Sequence, residues 1–243
     1  MHGVMLKRLG HSVHILEQNP ESILHGQAAG IRAGKEVQEF FEKYDRLKEP
    51  YFLDCPGLQF IDRESKNLRF VTFPMANTSW TTLYYRLRAN FDGFVSKHCP
   101  EPPEPEETDG AVIYDLGKRV TDVSYTDGLV LVTFEDTING KSGFLHADLV
   151  IAADGSNSAV RRILLPELQR PYAGYVAWRG SVLEKDASEE TKQAIKDNFT
   201  VFKMPRNYIL VHVIISSTPT SSYNFLGTQS PGQLEVSSQA SGS

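Results

Sequence analysis

The chain is poor in cysteine: Cys55 and Cys99 are the only two in 243 residues. They form no Cys-x-x-Cys pair, which excludes the common zinc and dithiol motifs, and two lone thiols fit a reducing compartment. Long apolar runs are also missing. No segment reaches the roughly 20 apolar residues that a membrane span needs, and no signal-peptide pattern follows Met1, so the sequence predicts a cytoplasmic protein with no membrane partner. Positive charge is not in excess: Lys+Arg number 25 against 30 Asp+Glu, a net charge of -5. That leaves no basic footprint for nucleic acid. A Gly-x-Ser-x-Gly elbow is absent, which disfavours a serine hydrolase. A Gly-x-Gly-x-x-Gly fingerprint is absent too. His11 and His14 stand three apart on an expected strand, so they point to opposite faces and cannot chelate one metal. What remains is ordinary globular material, 40% hydrophobic and 23% charged, long enough to bury a core in one large or two small domains.

The most informative stretch is Asp148 to Arg162. Leu149 to Ala153 is a continuous apolar run, which predicts a strand buried on both faces of a parallel sheet. Asp154-Gly155 ends it. Gly155 permits a sharp turn and a close ligand approach because it has no Cβ. Ser156 or Asn157 is the expected cap of the next helix, and Pro166 limits its far end. Open α/β sheets bind ligands beside a carboxylate so placed, at the carboxyl end of a strand and the start of a helix. The stretch resembles the Asp-Gly motif of the class A FAD-dependent aromatic-ring monooxygenases. Tyr172 to Gly180 is similar to the corresponding segment of the subgroup around 2,6-dihydroxypyridine 3-monooxygenase. The likeness runs from Met1 to about Ile215. Taken without its flanks, Asp154-Gly155 reads rather as a surface turn after a core strand; the flanking pattern and the later segment turn the reading to the flavoprotein.

The rest of the chain can be read in order. Met1 to Leu9 predicts an amphipathic helix stopped by Gly10, and Ser12 to Glu17 predicts a strand. Helix, glycine, strand and acidic end form the second half of a nucleotide-binding βαβ unit, whose acidic side chain accepts from the adenosine ribose. Glu17 therefore becomes a cofactor-binding candidate. The glycine fingerprint belongs about 20 residues earlier, and the resemblance implies a second Gly-Asp motif beyond the last segments, so the expectation is a chain cut at both ends, lacking its first strand and phosphate loop and that second motif. Lys35 to Lys43 reads as a helix. The resemblance places Gly30 and Ile31 close to the flavin; a plain loop glycine is the alternative. Leu58 to Ile61 and Leu68 to Phe73 predict a hairpin, and the resemblance places substrate-facing strands in this 51–75 region. Thr78 or Ser79 caps a helix to about Phe91, with Leu83, Tyr84 and Leu87 as its buried stripe. Family members carry a diphosphate-binding arginine where Trp80 stands here; Arg86 or Arg88 is the alternative phosphate contact, with a solvated helix face preferred for both. Glu101 to Asp109 is acidic and proline-rich and reads as an exposed loop. Lys118 to Tyr125, Leu129 to Phe134 and Gly143 to Ala153 predict a meander turned at Asp127-Gly128 and Asn139-Gly140. Tyr172 to Val182 and Tyr208 to Ile215 read as strands, with a helix over Ser188 to Asn198 between them.

The expected fold class is α/β, mixed with α+β character. An incomplete FAD-binding Rossmann-like domain with a β-meander occupies 1–165, part of a β-sheet substrate domain occupies 166–215, and a disordered tail follows over 216–243. The resemblance implies FAD as cofactor, NAD(P)H as reductant and molecular oxygen as co-substrate. It implies oxygen transfer to a small aromatic or heteroaromatic ring through a flavin C4a-hydroperoxide. No side chain need act as nucleophile, so no catalytic residue is nominated; the cofactor-binding candidates are Glu17, Gly30, Ile31, Asp154 and Gly155. Two alternatives stay open: another FAD- or NAD(P)-dependent oxidoreductase, and a non-catalytic fragment that does not hold FAD.

Overall fold

Most elements begin and end where the sequence punctuates them. The computed structural model describes residues 1–22, 29–62, 68–195, 197–204, 208–214 and 222–229. In chain order the elements are α1 (His2–Arg8), β1 (Val13–Glu17), β2 (Gly30–Ala33), α2 (Lys35–Tyr44), β3 (Leu53–Asp62), β4 (Leu68–Ser79) and α3 (Trp80–Asp92). There follow β5 (Val112–Leu116), β6 (Lys118–Thr126), β7 (Leu129–Asp136), β8 (Ser142–Ala147), α4 (Ala159–Leu164) and β9 (Val176–Leu183). A 3₁₀ turn (Glu184–Asp186), α5 (Glu189–Ile195), β10 (Phe199–Lys203), β11 (Tyr208–Ile214) and β12 (Ser222–Gln229) complete the described elements. The fold is mixed α/β.

Local signals account for many of these boundaries. Gly10, at φ 83°, stops α1. Ser79 caps α3 by accepting the Thr82 N–H at 3.0 Å, and Gly93, at φ 69°, ends it. Asp127 and Gly128 lie at φ 52° and 82°, the two left-handed positions of a primed turn that suits the twist of β6 and β7.

The chain divides into two compact units. The first comprises 26–105 and 172–243. Its seven-stranded sheet runs in the order β2-β4-β3-β10-β11-β12-β9. β3 and β10 pair in parallel, with Leu58 opposite Phe199. Ile195, Val211 and Tyr223 form one buried cluster of this unit, and Tyr85, Ala89 and Cys99 form another. The second unit comprises 2–25 and 106–171. It contains the parallel pair β1-β5 and the antiparallel meander β6-β7-β8.

Several expectations need correction. Leu149 to Ala153 joins no strand, and Leu149 and Ile151 are 67% and 44% exposed. A doubly buried parallel strand needs neighbours on its edges, and no described strand lies beside this run. β8 accordingly ends at Ala147. The tail expected to be disordered from 216 contains β12, which pairs with β11 and β9; two flanking ladders hold a strand that polar composition conceals. Residues 215–221 and 230–243 lie outside the described residues. The hairpin assigned to the 1–165 domain instead shares a sheet with 176–229, because β10 docks on β3. β2, β5, β10 and β12 were not anticipated; the loop expected at Gly30-Ile31 is a strand because β4 pairs with it.

The buried face of α3 also differs from the expected stripe. Leu83, Tyr84 and Leu87 are half-buried, whereas Tyr85, Arg86, Arg88, Ala89, Asn90 and Phe91 are buried. The arginines are not solvated. Arg86 pairs with Asp45 and donates to the carbonyls of Leu47 and Glu49 at 2.7 Å each. Arg88 forks onto Asp92 and donates to the Tyr84 hydroxyl at 3.0 Å. Asn90 completes the first group by donating to Asp45 at 2.7 Å.

Among the described residues no helix is long and apolar enough to cross a membrane. Arg86→Leu leaves Asp45 buried without its cation, so urea unfolding should show a loss of about 3–5 kcal/mol. The Asp45→Leu/Arg86→Leu double variant should lose less than the sum of the two single variants.

Candidate functional site

The sequence candidates fall in both units, and each unit is described by itself. In the second unit the β1-β5 ladder runs from Val13 opposite Val112 to Glu17 opposite Leu116. Glu17 ends the strand, and one of its carboxylate oxygens accepts the Asn19 N–H at 2.8 Å. The turn beyond is tied down: the Gly117 N–H donates to the Asn19 carbonyl at 3.1 Å, and the Thr137 N–H donates to the Gly117 carbonyl at 2.7 Å. Gly117 takes φ 68° to make this link. His14 is paired across the ladder, its Nε2 lying 2.8 Å from Asp115.

Asp154 lies at the entrance to α4 and binds that helix directly. Its Oδ2 accepts the N–H groups of Ala159 at 2.7 Å and Val160 at 3.2 Å. Ser158, rather than Ser156 or Asn157, is the N-cap, accepting the Arg161 N–H at 2.9 Å. Burial pushes the Asp154 carboxyl up, but the Ser158 hydroxyl and the helix amides outweigh it and hold it below the usual carboxylate range. Gly155 takes φ 73°, and a Cβ there would meet nothing within 4 Å. The turn is therefore open on that side. Arg161, Arg162 and Arg170 fold onto the same loop, donating to the carbonyls of Ser156 and Asn157. α4 packs on β6, which also approaches β1. Glu17 and the Asp154-Gly155 turn thus belong to one unit.

Gly30 and Ile31 belong to the first unit, on the edge strand β2. The reason for glycine at 30 is visible: a Cβ would stand 1.9 Å from Nε2 and 2.5 Å from Cε1 of His212. The His212 ring stacks on Phe199 with centroids 5.0 Å apart and planes 7° from parallel. Burial pushes its pKa down to about 4, so the ring is neutral at pH 7. Neither ring nitrogen has a hydrogen-bond partner, and neither does the buried Oδ1 of Asn77. Sequence reasoning passed over His212 and Asn77; a lone histidine in an apolar strand was the available signal. Trp80 begins α3 and is 41% exposed, and Trp178 on β9 is 57% exposed. No group of three or more His, Cys, Asp or Glu is placed to hold a metal ion among the described residues.

Over most of its length this architecture matches that of known flavoproteins. The solved 2,6-dihydroxypyridine-3-hydroxylase of Arthrobacter nicotinovorans superposes with a TM-score of 0.69 at 21% identity, over 88% of this chain and 49% of that one. The fold is that of the FAD-dependent aromatic-ring hydroxylases. The 2,6-dihydroxypyridine 3-monooxygenase of Paenarthrobacter nicotinovorans is 23% identical over 212 residues, 87% of this chain and 47% of the relative. An FAD-dependent urate hydroxylase of Klebsiella pneumoniae is 48% identical over 68 residues, 28% of this chain and 16% of the relative. The FAD binding domain-like family model matches residues 172–223. The chain spans about half the length of the 2,6-dihydroxypyridine 3-monooxygenase, and its resemblance to that subgroup of hydroxylases extends across both units.

Two outcomes follow from the Gly30–His212 contact. Gly30→Ala should cost about 1–3 kcal/mol in urea unfolding, because the new methyl meets a ring clamped by Phe199; the cost should shrink in a His212→Ala background. The folded pKa of His212 lies below the unfolded value near 6.5. Its contribution is therefore complete above pH 6.5 and is lost as pH falls toward about 4, when the unfolded chain takes up the proton first. The difference in stability between the unsubstituted chain and His212→Phe should change by up to roughly 3 kcal/mol across that window.

Proposed function

We propose that this chain forms the FAD-holding and part of the substrate-holding portion of an aromatic-ring hydroxylase. The observation that carries the reading is the presence of Glu17 and the Asp154-Gly155 turn in one compact unit of the hydroxylase fold. The Asn19 N–H donates to one Glu17 oxygen, and the other oxygen would accept a hydrogen bond from a ribose hydroxyl of the cofactor. Asp154 stays ionised because helix amides hold it, and it orients a cofactor hydroxyl or a water. Gly155 lets the polar chain of the cofactor pass close to the backbone. FAD supplies the oxygen chemistry when bound, with NAD(P)H as the source of electrons and molecular oxygen as the source of the transferred atom. The protein orients a small heteroaromatic ring and excludes water. The names of the two relatives, acting on a dihydroxypyridine and on urate, support a heteroaromatic substrate.

A second reading follows from the exposed run at Leu149 and Ile151: a chain with the hydroxylase fold that holds no flavin. One titration separates the two. FAD added to the purified chain should give a saturable shift of the visible flavin band and quenched flavin fluorescence; a spectrum identical to that of free FAD at every concentration would overturn the proposal. Glu17→Gln should weaken FAD binding about tenfold or more, the scale of a hydrogen bond to a charged group, with an unchanged melting temperature. Asp154→Ala should weaken FAD binding and also cost about 1 kcal/mol of stability, because it removes a helix-capping acceptor.

A further inference from the structure

Buried polar atoms in proteins are almost always satisfied, so exceptions that cluster call for a cause. In the first unit, among the described residues, the buried side-chain atoms without a partner are Asn77 Oδ1 and the two ring nitrogens of His212. They share one place. Gly30 pairs with Ser79, and Arg32 with Asn77, across β2 and β4. Directly opposed residues, and residues two apart, present the same face of a sheet. Asn77 therefore stands on the face of Gly30, the face covered by the His212 ring. Asn77 is 2% exposed. The wall there is bare backbone at Gly30, and Phe199 fixes the plane of the imidazole. This closed contact face carries one amide acceptor, one imidazole acceptor and one imidazole donor, none of them paired among the described residues.

We propose that Asn77 and His212 are the specificity-determining pair of this chain, reading the polar edge of an oxo- or hydroxy-substituted nitrogen heteroaromatic ring. This deepens the hydroxylase reading and rests on it. The complementary ligand carries two donors and one acceptor in the plane of a ring. A pyridone or a purine-dione has that pattern: ring N–H groups and a carbon-bound oxygen along one edge. A carbocyclic acid such as salicylate has the oxygens but no ring N–H. The neutral state of His212 matters because an imidazolium would offer two donors and no acceptor. The nitrogens are closed from solvent here, so the ligand enters as the contact between β2 and β11 parts. The competing account is a buried water bridging Asn77 and His212, which would make the pair structural.

The test uses the full chain labelled with ¹⁵N, without FAD, and two probes kept anaerobic, 2,6-dihydroxypyridine and salicylate. The His212 ring ¹⁵N resonances should shift saturably with 2,6-dihydroxypyridine and not with salicylate. His212→Phe and Asn77→Leu should each weaken 2,6-dihydroxypyridine binding at least tenfold. His212→Phe should melt no lower than the unsubstituted chain, since it removes two buried unpaired atoms with little change of shape. Resonances unmoved by the heterocycle, equal binding of both probes, or a His212→Phe chain that melts lower and binds the heterocycle unchanged would each overturn the pair. Failure of the cofactor reading looks different: the chain never saturates with FAD, yet the His212 resonances still respond to the heterocycle.

Discussion

The parallel pairing of β3 with β10 is the contact on which the first unit depends. It joins residues about 140 positions apart, from Leu58 opposite Phe199 to Lys203 opposite Asp62. One side chain secures it: the Gln59 amide donates to the Ala194 carbonyl and to the Thr200 hydroxyl at 2.6 Å each. Gln59 and Thr200 are 4% and 0% exposed, so each satisfies polar atoms that water cannot reach. The pairing brings β11 and β12 into the same sheet as β2 and β4. Without it, His212 has no reason to lie against Gly30, and the face shared by Gly30 and Asn77 has no cover.

The second unit is organised by a buried charge. Asp109 closes the acidic segment that composition marks as solvated, yet its carboxylate is 3% exposed and pairs with Arg8 and, at 3.8 Å, with Lys7. The Gly110 N–H then donates to the Lys7 carbonyl at 2.8 Å. This anchors the end of α1 to the start of β5 and sets β5 beside β1. Glu17 is presented at the end of that ladder. Asp154 is presented by different means, with helix amides in place of a strand ladder. Two carboxylates in one unit are thus each aligned by backbone N–H groups.

Much of the architecture was legible because it is set by local chemistry. Ser79 with Thr82 starts α3, Gly10 and Gly93 stop helices, and Asp127-Gly128 turns the meander; each acts through its own backbone or the next few residues. The Asp154-Gly155 motif was legible for the same reason, although its cap proved to be Ser158 with Asp154 behind it. Long-range pairing was not legible. β5 and β10 are five residues each, and β12, though eight residues long, is polar in composition; they are strands because other strands supply their ladders. Leu149 to Ala153 is the converse case, a run with strand-like composition and no neighbour to pair with. Arg86 and Arg88 look like surface residues by type, and only the placement of Asp45 and Asp92 buries them.

By itself, then, the amino-acid order determined the helix ends, the turns, the meander, the mixed α/β class and the likeness to flavin-dependent hydroxylases, since those depend on residue type and short spacing. Tertiary structure alone decided which distant strands share a sheet, which charges are buried, and that Gly30 is glycine to admit the His212 ring. The physical reason is that burial and pairing depend on what arrives from elsewhere in the chain, and neither periodicity nor composition encodes the identity of that neighbour.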